Sequence, residues 1–225
     1  MTKPNINEAK SLRVARIGVF SALYVVTSLI PISMFIGAPS FLSLNLIMTP
    51  TIAAIFPPIE ALFAAIFGGT IALYLIPGQA MFGPFTILLP VAGATFGSLA
   101  FHKQKTGALA ASIFLATAIS AYLIKNYMVP YFIIPHTLAI ILASISSLSN
   151  KRNPFRILAA QHAFVSTMCE QGMMMIFAVH LLCLPWQAFI GIFPLMICER
   201  LIGAAGGAIL IIALQKFFPN ILKIS

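Results

Sequence analysis

Residues 85–124 read FTILLPVAGATFGSLAFHKQKTGALAASIFLATAISAYLI. Two apolar runs, 85–101 and 107–124, flank a single basic knot, His102-Lys103-Gln104-Lys105. A helix facing water on one side would carry polar residues along that whole side. Here the charges are confined to the ends of the runs instead. A helix needs about 20 predominantly apolar residues to cross a ~30 Å hydrocarbon core, and both runs approach that length. The stretch therefore predicts two membrane helices joined by a short basic loop.

The rest of the chain repeats this pattern. Of 225 residues, 13 are Lys or Arg and 4 are Asp or Glu, while 60% are apolar and 8% charged. Mean hydropathy is +1.04. A soluble domain carries about 25% charged residues because its surface must face water. The predicted fold is all-α: a polytopic transmembrane helix bundle of six to eight spans, forming a single integral membrane domain over 1–225. The net charge of +9 does not point to nucleic acid, because the bases are spread over short loops. Multi-pass insertion in a cell membrane, with lipid around the bundle, accounts for them through the positive-inside rule. Cys169, Cys183 and Cys198 all fall within apolar runs, which reads as packing rather than a disulfide framework. The apolar run after the polar start MTKPNINEAKSLRVAR is too long for a signal peptide and reads as a retained first helix.

About eight apolar segments emerge, near 12–36, 43–56, 59–76, 85–101, 107–124, 128–148, 157–183 and 187–218. Pro57-Pro58 ends the second and starts the third, since proline suits a helix's first turn and not its interior. With both termini cytoplasmic, Lys3, Lys10, Arg13 and Arg16 share a side with Lys103, Lys105, Lys151, Arg152, Arg156, Lys216 and Lys223. The connections near 37–42, 77–84 and 184–187 fall outside and carry no basic residue; Lys125 alone breaks the rule.

Ionisable residues inside a membrane cost at least ~2.5 kcal/mol each on insertion scales, so they mark candidate sites. Glu170 lies near the middle of the seventh segment, and Glu199 and Arg200 near the middle of the eighth. Consecutive antiparallel helices put the three at similar depth. They read either as a buried ion pair holding two helices in register or as a polar site contacting substrate or protons. Arg200 already supplies a counter-charge, which favours the first. His162 and His180 are five turns apart on one face of the seventh segment, too far to share a metal. Gly203, Gly206 and Gly207 lie near Glu199 and Arg200 and read as a close-packing face. Glu60, beside Pro57-Pro58, suits the start of a helix. The chain carries no G-x-x-x-x-G-K-[ST] loop, no G-x-G-x-x-G after a strand, no G-x-S-x-G elbow and no H-E-x-x-H pair. No catalytic residues, metal site or cofactor is therefore expected; the chain reads as a binding or transport protein rather than an enzyme.

The first half resembles a known family. FLSLNLIMTP (41–50), AAIFPPIEA (53–61) and AIFGG (65–69), followed by the loop GQAMFGPF (78–85), are similar to the substrate-binding (S) components of energy-coupling factor (ECF) vitamin transporters. The shared pattern is a short second helix with a polar residue and a proline, then a Phe-Pro break, then a third helix rich in alanine and glycine. It covers residues 10–101, and 102–225 continue as helices outside it. The family typically has six spans, so either a helix pair is added after His102 or two segments do not span. The family's first-helix A-x-x-x-A docking face has its nearest counterpart in Gly18-Val19-Phe20-Ser21-Ala22.

The resemblance implies high-affinity capture of a vitamin or related micronutrient. A transmembrane coupling subunit and two ATPase subunits, encoded elsewhere, would drive its import. It also implies a pocket toward the extracellular side, offering Asn45 and Thr49 on the second helix, Gln79 in the loop and Thr86 on the fourth. Tyr127, Tyr131 and His136 from the sixth segment, and Trp186 from the last outer turn, are further candidates. The alternative for Tyr127 and Trp186 is an interfacial aromatic belt. A different class, a proton- or ion-coupled secondary transporter, would use Glu170 and Glu199. The four histidines and scattered amides are compatible with biotin, thiamine precursors, riboflavin or a different micronutrient, so the sequence does not identify the ligand.

Overall fold

Prolines and stranded carbonyls set most of the helix ends. The computed structural model describes residues 6–32, 43–149 and 154–218. The expected outer connection at 37–42, the loop residues Lys151 and Arg152, and Lys3, Lys223 and both chain ends lie outside them. Among the described residues there are eight α-helices and no strand: α1 (Ile6–Ser28), α2 (Asn45–Ile55), α3 (Pro58–Leu75), α4 (Leu88–His102), α5 (Gln104–Asn126), α6 (Ile134–Ser149), α7 (Phe155–His180) and α8 (Trp186–Phe217). Pro58 opens α3, while Pro154 and Pro185 immediately precede α7 and α8. The expected starts near 85 and 128 differ. Short 3-10 turns at Gly83–Ile87 and Pro130–Ile133, each entered through a proline, come before α4 and α6.

The Pro57-Pro58 break leaves the Phe56 carbonyl without a helical partner, because the backbone turns extended there. Ser98 of α4 supplies the missing donor, its Oγ donating to that carbonyl at 2.5 Å. A buried, unsatisfied carbonyl would cost about 1–3 kcal/mol, so this bond fixes α4 against the α2–α3 corner. Between α1 and α3, the Ser21 hydroxyl donates to the Ala64 carbonyl at 3.1 Å.

Small residues bring the helices close. On α8, a side chain at Gly203 would lie 3.3 Å from the Leu46 carbonyl oxygen, and one at Gly207 would overlap the ring of Pro50. Gly93 and Gly97 do the same for α4, whose backbone meets Thr49 and Ala53 on α2 and Ser166 on α7. The Ser166 hydroxyl donates to the Gly93 carbonyl at 2.9 Å. The glycines near Glu199 and Arg200 thus serve packing, as their spacing suggests.

Among the described residues, five helices are long and apolar enough to cross a membrane: those over Pro58–Leu75, Gly83–His102, Lys105–Asn126, Pro130–Leu148 and Trp186–Phe217. Helix α2 has only 11 residues, about 16 Å at 1.5 Å per residue. Helix α7 is long but rich in polar groups, and it is the central helix, packed against α2, α4, α5, α6 and α8. Its Ser166, Thr167, Glu170 and Gln171 are all buried, as expected of polar groups that cannot face lipid. The outer faces are apolar: Val14, Val19 and Val26 on α1, and Phe63, Phe67 and Ile71 on α3, are exposed. Helices α5 and α6 pair with each other and lean on α4 and α7 at one edge.

The ends of the bundle differ in charge. Arg13 reaches Glu60 at 3.8 Å and Arg16 lies 5.5 Å over the Phe56 ring, tying the start of α1 to the α2–α3 corner. Phe101 meets His162 edge-on at 4.9 Å, bringing the end of α4 to the start of α7. His180, at the far end of α7, donates through Nε2 to the Ala121 carbonyl at 3.0 Å. The two histidines therefore sit at opposite ends.

Of the three cysteines, Cys169 is buried while Cys183 and Cys198 are exposed. The packing expectation holds only for Cys169. Cys183 lies in the α7–α8 turn with φ +50°, and Cys198 faces outward from α8.

Candidate binding site

At the end of the bundle opposite Arg13 and Lys103, where α1 and α3 finish and α2 and α4 begin, six helices leave a cavity of about 90 Å³. Helix α1 contributes Tyr24, whose buried ring lies against Gly68 of α3; a side chain there would come within 3.1 Å of it. The Tyr24 hydroxyl accepts a hydrogen bond from Asn45 Nδ2 at 3.2 Å. Asn45 Oδ1 in turn accepts one from the Ser43 hydroxyl at 2.7 Å. Asn45 is the first residue of α2, so its side chain is held by this chain of partners rather than by its own helix.

The upper wall comes from the loop before α4. Gln79 donates through Nε2 to the Ser28 carbonyl at 3.0 Å, pinning the loop to the end of α1. Thr86 accepts at Oγ1 from the Phe82 backbone N–H at 3.0 Å. Ala72, Leu73, Leu89 and Met174 supply apolar surface.

The floor is ionic. Glu170 of α7 and Glu199 and Arg200 of α8 all line the cavity and are buried. Arg200 Nη2 meets Glu199 Oε1 at 2.6 Å, and Nη1 lies 3.5 Å from Glu170 Oε1 and 3.5 Å from the Thr167 carbonyl. The shortest contact is thus between neighbours on one helix. Only the two longer ones cross from α8 to α7. Arg200 Nε and Glu170 Oε2 are buried with no partner. Two carboxylates against one guanidinium leave the floor acid-rich.

The structure brings together Asn45, Gln79, Thr86, Glu170, Glu199 and Arg200. It adds Tyr24 and Ser43, which sequence reasoning missed. Thr49 is one turn deeper on α2, buried against Gly93, with Oγ1 unpartnered. The candidates from the α5–α6 edge and the α8 start do not line the cavity. Tyr127 is exposed, Tyr131 packs edge-on to Phe193 at 5.0 Å, and Trp186 is exposed at the start of α8. His136 is fully buried beside Phe132, in an aromatic nest with Tyr122 and Phe189. Gly18 and Ala22 lie on the exposed outer face of α1, and a side chain at Gly18 would meet nothing within 4 Å. Among the described residues no three His, Cys, Asp or Glu side chains gather as a metal site requires. Compared with protein families, curated proteins and solved structures, the chain finds no match.

Proposed function

We propose that the chain is the substrate-binding subunit of an ATP-driven importer of the energy-coupling factor type, capturing a vitamin or related micronutrient at a cell membrane. The observation that carries this reading is the origin of the cavity. It draws on α1, α2, α3, α4, α7 and α8, and nothing in it comes from α5 or α6. Six helices enclose the site, the number the resembling family uses, and the extra pair stands outside it. A mixed lining of a few polar anchors over apolar surface suits a small ligand. The exposed Gly18–Ala22 face on α1 is where a coupling subunit would dock, with two ATPase subunits beyond it.

The test is native mass spectrometry of the full chain purified from its own host without added ligand. A co-purifying molecule of vitamin size is expected. Asn45→Ala and Gln79→Ala should each weaken its retention roughly tenfold, as for loss of one or two hydrogen bonds. A protein that carries no ligand and co-purifies with no coupling subunit or ATPase would sink the reading. A second reading, proton- or ion-coupled secondary transport, is favoured by the two carboxylates lining the cavity. It requires the chain alone, in proteoliposomes, to accumulate substrate on a pH or sodium gradient.

A further inference from the structure

Capture by itself leaves the chemistry of the ligand open, and two side chains of the segment before α4 narrow it. Gln79 and Thr86 both line the cavity. Each already has one hydrogen-bonding role taken by the protein, which fixes the role left over. Gln79 Nε2 lies 3.0 Å from the Ser28 carbonyl. A carbonyl only accepts, so the N–H side of the amide must face Ser28 and its oxygen must face away. Gln79 Oε1 has no partner among the described residues, and it is not one of the buried orphan oxygens. It is therefore an open acceptor. Thr86 is the reverse case. Its Oγ1 receives the Phe82 backbone N–H at 3.0 Å, and a backbone N–H only donates. A hydroxyl carries one proton beside its lone pairs, and the Thr86 proton has no acceptor among the described residues.

The segment thus offers one acceptor and one donor, and Ala72, Leu73 and Leu89 put apolar surface in the same cavity. In such surroundings a ligand atom of the wrong type leaves both itself and its partner unsatisfied. A carboxylate brings acceptors only and sets oxygen against oxygen at Gln79. An ammonium brings donors only and leaves Thr86 unanswered. An amide-type edge brings one of each, held in a plane with no rotor to freeze. The cavity, at about 90 Å³, is smaller than the ~150 Å³ that admits a benzene, so it takes one end of a vitamin-sized molecule rather than the whole. We infer that the end that enters carries a neutral amide-type edge, a carbonyl or ring-nitrogen acceptor beside an N–H, as in a carboxamide, lactam, ureido or aminopyrimidine group. Thr86 donates to its acceptor, and Gln79 Oε1 accepts from its N–H. This deepens the capture reading and rests on it.

The experiment uses the full chain in nanodiscs and calorimetric titration with matched probes. Nicotinamide, biotin and riboflavin are each set against an isostere that keeps the carbonyl and has C–H in place of N–H, with nicotinate as the acceptor-only control. Any molecule that co-purifies is identified by mass and tested in the same paired way. The tightest ligand is expected to carry an amide-type edge, and its isostere to bind roughly tenfold more weakly, as for loss of one hydrogen bond from an apolar site. Thr86→Val, which removes the hydroxyl proton, should weaken the ligand by a similar factor, while Thr86→Ser, which keeps it, should stay within about twofold of wild type. The isostere series is read on the wild-type chain, so a misfolded Thr86→Val leaves the inference testable. A tightest ligand without such an edge, or one whose isostere binds within about twofold, overturns the inference and leaves capture standing. So does a well-folded Thr86→Val that binds the ligand within about twofold of wild type. Absence of any ligand, added or co-purifying, overturns capture and this inference together.

Discussion

Arg200 holds the largest share of the bundle's internal charge balance. It is among the largest fully buried side chains, and both carboxylates of the floor depend on it. Breaking a buried ion cluster by removing one member costs far more than the cluster's net worth, because the survivors stay buried and uncompensated. Arg200→Leu is therefore expected to destabilise the protein by about 3–5 kcal/mol, read as a lowered thermal midpoint in detergent. Glu199→Gln, which leaves Arg200 still facing Glu170, should cost visibly less. At this scale the sequence was legible where a polar group stood alone in an apolar run. Glu170, Glu199 and Arg200 stood out that way, and Asn45, Gln79 and Thr86 through the family resemblance. Tyr24 did not, because a tyrosine in a membrane helix is unremarkable by type. Its signal was spacing: Ser21, Tyr24 and Ser28 share one face of α1, and that face is the buried one. His136, Tyr127, Tyr131 and Trp186 were chosen for ring chemistry. Whether they reach the cavity depended on where α5, α6 and the start of α8 pack, which periodicity does not reveal.

Among the helices, the eight apolar segments correspond to α1–α8, because span length and proline breaks are both written locally. Boundaries slipped where a 3-10 turn intervened, at Gly83–Ile87 and Pro130–Ile133. Apolar composition there continues unbroken while the backbone changes pitch. Contacts between helices are set by small residues, and α8 carries a matched pair for testing this. At Gly207 a methyl group would overlap the rigid ring of Pro50, whereas at Gly191 it would meet nothing within 4 Å. Gly207→Ala is expected to cost about 1–3 kcal/mol, as overpacking does. Gly191→Ala should instead stabilise by up to about 1 kcal/mol through helix propensity. Opposite shifts in thermal midpoint from one substitution on one helix would tie α2–α8 approach to Gly207. Equal shifts would show that α8 tolerates separation from α2.

For the molecule as a whole, the uneven placement of bases sets an expected orientation. Arg13, Arg16, Lys103, Lys105, Arg156 and Lys216 cluster at one end, and Lys125 lies at the other. With the basic end cytoplasmic, the exposed Cys183 in the α7–α8 turn faces outward. A membrane-impermeant maleimide added to intact cells is then expected to label Cys183 and spare buried Cys169. Labelling that appears only after the membrane is permeabilised would invert the orientation, and with it the side from which the cavity fills. One further consequence comes from the shortness of α2. At about 16 Å it covers roughly half of a ~30 Å hydrocarbon core, and the cavity lies at its first residues, Asn45 and Leu46. Where water follows a ligand into that recess, the electrical potential across the membrane falls mainly over the protein beneath it. A charged cargo would then enter with little dependence on voltage. Nearly the whole ~2.3 kcal/mol per unit charge per 100 mV would be felt on the inward step, so voltage would act on release and leave affinity almost untouched.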